Sequence, residues 1–288
     1  MKPHYVTTTY LQSFIAQAIE EDIGDGDHSS IATLPADLSG KATLKVKEKG
    51  VIAGLELAEA VFRQVDNHLH TTFFKKDGTQ VENGATVLEV KGPVRSILGS
   101  ERLVLNCLQR MSGIATRTHR LCKLIGHTKA KILDIRKTTP NMRPLEQWAV
   151  AIGGGQNHRF ALYDMIMLKD NHVDYAGGIK PALDATSLYL KRTGKQLKVE
   201  IETRNLSEVE EVLEAGGADI IMLDNMDLPV MAEALRMIDG RIKTEASGGI
   251  TEANIVEIAE TGVDFISIGA LTHSVKSLDM SLKAEIVF

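Results

Sequence analysis

Cysteine is scarce in this chain of 288 residues: only Cys107 and Cys122 occur, and neither has a CxxC neighbour or a Cys/His partner at ligand spacing. That scarcity excludes a disulfide scaffold and a structural zinc finger, and two free thiols suit a reducing cytoplasm. Long apolar runs are missing too. None approaches the ~18 residues of a transmembrane helix, and the opening MKPHYVTTTYLQ lacks the apolar core of a secretory signal. A soluble cytoplasmic protein without a membrane partner is expected. No GxGxxG or P-loop sequence is present, so neither a dinucleotide site nor an NTPase site is indicated. Excess positive charge is also absent: 33 Lys and Arg face 38 Asp and Glu, a formal net charge of -5. A general nucleic-acid surface is therefore not expected. No low-complexity linker divides the chain.

What remains is a globular composition, 43% hydrophobic and 25% charged, long enough for one large α/β domain or two smaller ones. Residues 1 to about 112 read as a mixed α+β unit. Leu11, Phe14, Ile15, Ala18 and Ile19 recur at helical spacing, and Lys41 to Lys47 alternates like a half-buried strand. Asp77-Gly78 and Asn83-Gly84 mark turns. Residues 96 to 115 are helical again, with Val104, Cys107, Leu108, Met111 and Ala115 on one stripe.

From about Gly113 the rhythm changes. Six short apolar runs (Lys131–Leu133, Met165–Leu168, Val199–Ile201, Ile220–Leu223, Ile242–Ala246 and Phe265–Ile268) alternate with amphipathic helical patterns. Strand and helix in series predict right-handed βαβ units and a parallel sheet. The continuously apolar runs predict strands covered on both faces. Similar repeat lengths favour a barrel of the (β/α)₈ type, two strands short, over an open doubly wound sheet.

In either arrangement, chemistry sits at the carboxyl ends of the strands. The six ends offer Arg136 and Lys137; Lys169, Asp170 and Asn171; Glu200 and Glu202; Asp224 and Asn225; Ser247-Gly248-Gly249; and Gly269-Ala270. Cations gathered between Asp134 and His172, in an acidic chain, predict a pocket for a small anion. Ser247 to Gly249, ahead of a helix at Thr251, suit a phosphate cradle. Glu202 and Asp224 on neighbouring strands suit Mg²⁺ shared with phosphate oxygens, or simply pair with Lys137 or Lys169. His158-Arg159 after three glycines can present donors to carboxylates. His158 with His172 as zinc ligands lacks any supporting partner.

DIRKTTPNMR, GGGQNHR, MLKDNHV, VEIE, IIMLDNM, ASGGI and ETGVDFISIGALTHS, with ERLVLN, SGIAT and EDIGDGDHS upstream, resemble the quinolinate phosphoribosyltransferase family in order and spacing over nearly the whole chain. The resemblance implies an N-terminal α/β sandwich (1–112), a C-terminal incomplete TIM-like α/β barrel of seven strands (113–275), and a last segment (276–288) packing back on the N-terminal domain. It implies transfer of phosphoribosyl from phosphoribosyl pyrophosphate to quinolinate with decarboxylation, Mg²⁺ as cofactor, and a homodimer or larger homo-oligomer whose sites the neighbouring subunit completes. By position, Arg102 (from that subunit), Arg136, His158, Arg159 and Lys169 would bind quinolinate. Lys137, Ser247, Gly248, Gly249, Gly269 and His273 would bind phosphoribosyl pyrophosphate. Lys137, Lys169, Glu202 and Asp224 would be catalytic, with Glu202 and Asp224 holding Mg²⁺ directly or indirectly. Three positions depart from the family pattern: Ile135 for Thr, Asn141 for Gly and Trp148 for Tyr.

Counting cations favours a dicarboxylate substrate over nicotinate or another heterocycle. A barrel aldolase with a Schiff base on Lys169 is the rival from another class, and a non-catalytic anion sensor is the outside one.

Overall fold

The computed structural model describes residues 2–285. Its strands, in chain order, are β1 (Ser39–Val46), β2 (Gly50–Val51), β3 (His70–Phe73), β4 (Gln80–Val81), β5 (Thr86–Pro93), β6 (Lys131–Leu133), β7 (Ile166–Leu168), β8 (Val199–Thr203), β9 (Ile220–Asp224), β10 (Lys243–Ser247), β11 (Phe265–Ser267) and β12 (Met280–Glu285). Two compact units emerge. The first takes the chain up to His119, Thr138–Gly154 and everything from Ala270 on; the second takes Arg120–Lys137 and Gly155–Gly269.

In the first unit, Thr7 caps the helix Thr8–Asp22 by accepting the Tyr10 N–H, and Leu11 and Ile15 are its buried residues. An antiparallel sheet of order β12-β1-β5-β3 forms the core. Leu44 of β1 lies opposite Leu88 on one side and Leu282 on the other. All three are buried, so cross-strand packing sets this register. The helix Leu55–Val65 buries Leu57, Ala58, Val61 and Phe62. The C-terminal segment enters this sheet as β12, paired with β1 from Val46↔Met280 to Lys41↔Glu285; its residues 286–288 lie outside the described residues.

The expected boundary near 112–113 falls inside one helix, Val94–Leu124. Its stripe Val104, Cys107, Leu108, Met111 and Ala115 is buried without a break, so nothing ends the helix at Gly113. That glycine serves packing instead. A Cβ there would collide with the Lys276 carbonyl oxygen and stand 3.1 Å from the Ser277 Cα. Residues 138–154 and 270–275 also belong to the first unit rather than to the barrel. Asn141, which replaces a glycine of the family pattern, has φ 64°, a left-handed conformation that asparagine tolerates better than most residues. Trp148 is buried.

The second unit is a parallel sheet of order β6-β11-β10-β9-β8-β7. Helices follow the strands, and their buried faces carry the expected residues: Val209 and Val212, Met231 and Ala234, Ile255 and Ile258. A seventh strand position shrinks to a single parallel bridge between Gln156 and Leu133. It is too short to leave an apolar run in the sequence, which is why six runs are readable there.

The sheet's two faces differ. Register pairs Glu202 with Met222 and Met222 with Glu245, so these side chains share one face, with Glu200, Asp224 and Ser247 at alternate positions along their strands. The opposite face carries Ile201, Ile221, Leu223, Ala246 and Ile266, all buried. The expectation of strands apolar on both faces is therefore corrected. One face is apolar and covered by helices, while the other carries buried carboxylates. No helix among the described residues is long and apolar enough to cross a membrane.

Candidate active site

The polar face of the second unit builds the site from its strand ends. At the end of β6, Asp134 is fully buried and accepts hydrogen bonds from the His158 N–H at 2.9 Å and the Asn157 side-chain amide at 2.5 Å. Gln156 anchors the same stretch: its N–H donates to the Ile132 carbonyl and its carbonyl accepts from the Asp134 N–H. The glycine-rich turn before it thus delivers residues 156–159 as an ordered strip rather than a loose loop.

His158 points inward. Its side chain is only 5% exposed, with Nε2 at 2.9 Å from Glu200 Oε2 and 3.4 Å from Glu245 Oε2. The Arg159 N–H donates to Nδ1 at 2.6 Å. Burial opposes a charge on this ring, while Glu200 and then Glu245 favour one and shift its pKa upward. An Nδ1 that accepts from the Arg159 N–H carries no proton, so in this arrangement the ring proton sits on Nε2, facing the carboxylates. Glu200 is shifted upward, by burial first, with the Glu245 charge adding to it and His158 opposing.

Arg159 is buried, donates to the Met165 carbonyl at 3.2 Å and lies close enough to Arg136 to feel its charge. Burial first, then the Arg136 charge, lower its pKa, while Glu200 and Asp164 oppose that. Arg136 has a buried Nε with no hydrogen-bond partner. Arg136, with its unpaired buried donor, and the buried Arg159, within reach of its charge, are cations of the kind that receive anionic oxygens.

Further round the rim, Lys169 at the end of β7 is half-exposed and ion-paired with Glu202 at 3.1 Å. Asp224 ends β9, and the Asn225 side chain donates to it at 2.6 Å. Asn225 has φ 52° and its N–H donates to the Ser247 carbonyl. A Cβ on Gly248, φ 93°, would overlap the Asn225 side chain. The loops after β9 and β10 interlock through that missing atom, and only glycine permits it. The helix expected at Thr251 starts later, at Ile255, and has six residues. Asn254 accepts the Thr251 N–H and donates to the Gly249 carbonyl, so its side chain sustains a turn there instead. Backbone groups of the Ser247–Gly249 turn, not a helix dipole, are what this loop offers a phosphate. Gly269 follows β11, and Lys137 is exposed beyond β6.

The second unit thus brings together Arg136, His158, Arg159, Lys169, Glu202, Asp224 and Ser247 to Gly249. Arg102 and His273 belong to the first unit. Arg102 is exposed on the long helix, and His273 is exposed with Nδ1 2.7 Å from the Ser274 hydroxyl. The carbonyl before it, on Thr272, accepts from Arg110, which also binds Thr139 and the buried Glu146. Asp134, Asn157 and Glu245 as supports are what motif reading misses, while Glu200, offered with Glu202 at the third strand end, is fully buried rather than at the rim. The signal was available: VEIET and KTEAS each place polar residues two apart, on one strand face.

Comparison with known proteins adds to this geometry. The model of the quinolinate phosphoribosyl transferase C-terminal domain matches residues 114–283, and that of the N-terminal domain matches residues 27–112. The chloroplastic nicotinate-nucleotide pyrophosphorylase [carboxylating] of Oryza sativa subsp. japonica is 46% identical, covering 96% of this chain and 78% of that one. Quinolinate phosphoribosyltransferase [decarboxylating] 1b of Nicotiana tabacum is 45% identical, covering 99% and 85%. A crystal structure of NadC from Streptococcus pyogenes superposes with a TM-score of 0.93 at 40% identity, covering 98% of this chain and 99% of that one.

Proposed function

The chain belongs to the quinolinate phosphoribosyltransferase family, and from that membership and the site we infer its reaction. It transfers phosphoribosyl from phosphoribosyl pyrophosphate to quinolinate, with decarboxylation, giving nicotinate mononucleotide, pyrophosphate and CO₂ in NAD biosynthesis. The observation that carries this reading at the level of residues is Arg136, with its unpaired buried Nε, on the same strand ends as the buried Arg159. Quinolinate carries two carboxylates on adjacent ring carbons, and two guanidiniums suit them in number and charge.

Roles follow from position. Arg136 and Arg159 hold the carboxylates and orient the ring nitrogen toward C1 of the ribose, converting a two-body encounter into a set geometry. Lys169, and Arg102 from a neighbouring subunit, complete the cationic shell, while His158, expected there too, points inward and supports Arg159 instead. The nitrogen lone pair forms the N–C1 bond as the C1–pyrophosphate bond breaks. Glu202 and Asp224 face the positive character that develops at C1, and Lys137 faces the diphosphate. Ser247 to Gly249 and Gly269 hold the 5′-phosphate through backbone donors. The C2–carboxylate bond then breaks, its electron pair stays on ring C2 beside the cationic nitrogen, and C2 takes up one proton.

Glu202 and Asp224 are hard oxygen donors on one face of adjacent strands, a donor set that fits Mg²⁺ together with diphosphate oxygens. Bound there, Mg²⁺ would neutralise the departing pyrophosphate. Homodimeric assembly with sites completed across subunits, and a cytoplasmic location, belong to the same proposal; the Oryza sativa relative is named chloroplastic. Lys169 is ion-paired with Glu202 rather than enclosed in apolar surroundings, which favours an anion-binding lysine over a Schiff-base one.

Purified protein with quinolinate, phosphoribosyl pyrophosphate and Mg²⁺ should yield nicotinate mononucleotide, read by chromatography. Excess EDTA should cut the rate at least ~100-fold, and added Mg²⁺ should restore it, since charge neutralisation by the ion supplies several kcal/mol. Product from nicotinate but not from quinolinate would refute the reading, and full activity in EDTA would refute the metal assignment.

A further inference from the structure

Glu200 and Glu245 are both fully buried, and their four carboxylate oxygens have no aligned hydrogen-bond donor. Burying two carboxylates side by side costs several kcal/mol unless something compensates. Among the described residues, the side chain that meets both is His158, through Nε2. Neither glutamate lies at a strand's last residue, where substrate would be met: Glu200 is second in β8 and Glu245 third in β10. Their effect on any ligand must pass through the histidine.

We propose that Glu200 and Glu245 are positioning residues for the dicarboxylate pocket, acting through His158 on Arg159. The ring is held at both nitrogens, by the two carboxylates at Nε2 and by the Arg159 N–H at Nδ1. Asp134 holds the His158 backbone from the other side. Arg159 is therefore tied at its own N–H to a ring that is itself pinned to β8 and β10, while its guanidinium bonds the Met165 carbonyl beside β7. Glu200 also opposes the Arg136 charge felt by Arg159. The two buried carboxylates thus fix the ring beside which Arg159 is set, at the end of the sheet that also carries Arg136. They set the fit for quinolinate and leave the phosphoribosyl side untouched.

This inference rests on the quinolinate reading, and one experiment separates the two. Glu245→Met keeps the volume and removes the acceptor; Glu245→Gln keeps an acceptor oxygen. Glu200 still meets the His158 Nε2 when Glu245 is changed, so neither variant leaves the ring without a carboxylate partner, and both should fold with a Tm close to that of the wild type. Glu245→Met should raise KM for quinolinate about tenfold, ~1.4 kcal/mol. KM for phosphoribosyl pyrophosphate and kcat should change less than about threefold, and Glu245→Gln should recover most of the loss. A folded Glu245→Met with an unchanged KM for quinolinate, or with both KM values raised alike, would overturn the assignment. So would a divalent metal bound stoichiometrically to the purified wild type and lost in Glu245→Met, since His158, Glu200 and Glu245 would then be ligands. A wild type inactive with quinolinate would instead sink the reaction itself.

Discussion

Arg136→Ala should lower kcat/KM for quinolinate about a thousandfold, ~4 kcal/mol, with the Tm nearly unchanged. Truncating one partner of a buried, hydrogen-bonded charge pair costs about 2–5 kcal/mol, and the upper part of that range applies because the guanidinium donor is already desolvated before substrate arrives. Its Nε is buried without a partner. Stability should not fall with activity, because Arg136 and Arg159 repel each other in the free protein. Steady-state kinetics varying each substrate against the other will locate the loss. It should appear with quinolinate and be small for phosphoribosyl pyrophosphate. A variant within threefold of wild type would show that Arg136 does not hold the substrate.

Gly113→Ala should destabilise the first unit by about 2–3 kcal/mol. Two effects compete: alanine improves helix propensity by up to ~1 kcal/mol, while overpacking a filled site costs about 1–3 kcal/mol or more. The clash should win, because the colliding atoms are the Lys276 carbonyl and the Ser277 Cα, main-chain atoms that cannot rotate away. Calorimetry should find the Tm lowered by roughly 5–10 °C. Gly99→Ala in the same helix is the control. Its nearest atom would be the Ile23 Cδ1 at 3.9 Å, so the propensity gain should appear there as a small rise in Tm. Equal shifts at both positions would mean that the contact with residues 276 and 277 does not decide the outcome.

How much of this was legible in the sequence depends on how far each signal reaches. The six apolar runs mark β6 to β11 within about two residues, because a strand covered by helices must be apolar on that face. Polar residues just past each run therefore fall on one rim, and Arg136, Lys169, Asp224 and Ser247 are found there. What escaped was carried by single residues or by spatial neighbours. Gln156 holds a strand position with one bridge, too little for any periodicity. Glu200 and Glu245 interrupt apolar strands at positions where burial is decided by strands adjacent in space, not in sequence. The late start at Ile255 follows from the Asn254 side chain bonding the turn, a local competition between side chain and helix. The long helix hid a unit boundary because its apolar stripe never breaks.

The most direct test of the account follows the carbon that leaves. Quinolinate labelled with ¹³C in the 2-carboxylate should release one ¹³CO₂ for each nicotinate mononucleotide and each pyrophosphate formed, and only when phosphoribosyl pyrophosphate is present. Release of ¹³CO₂ without phosphoribosyl pyrophosphate, or a mononucleotide that keeps the label, would contradict it.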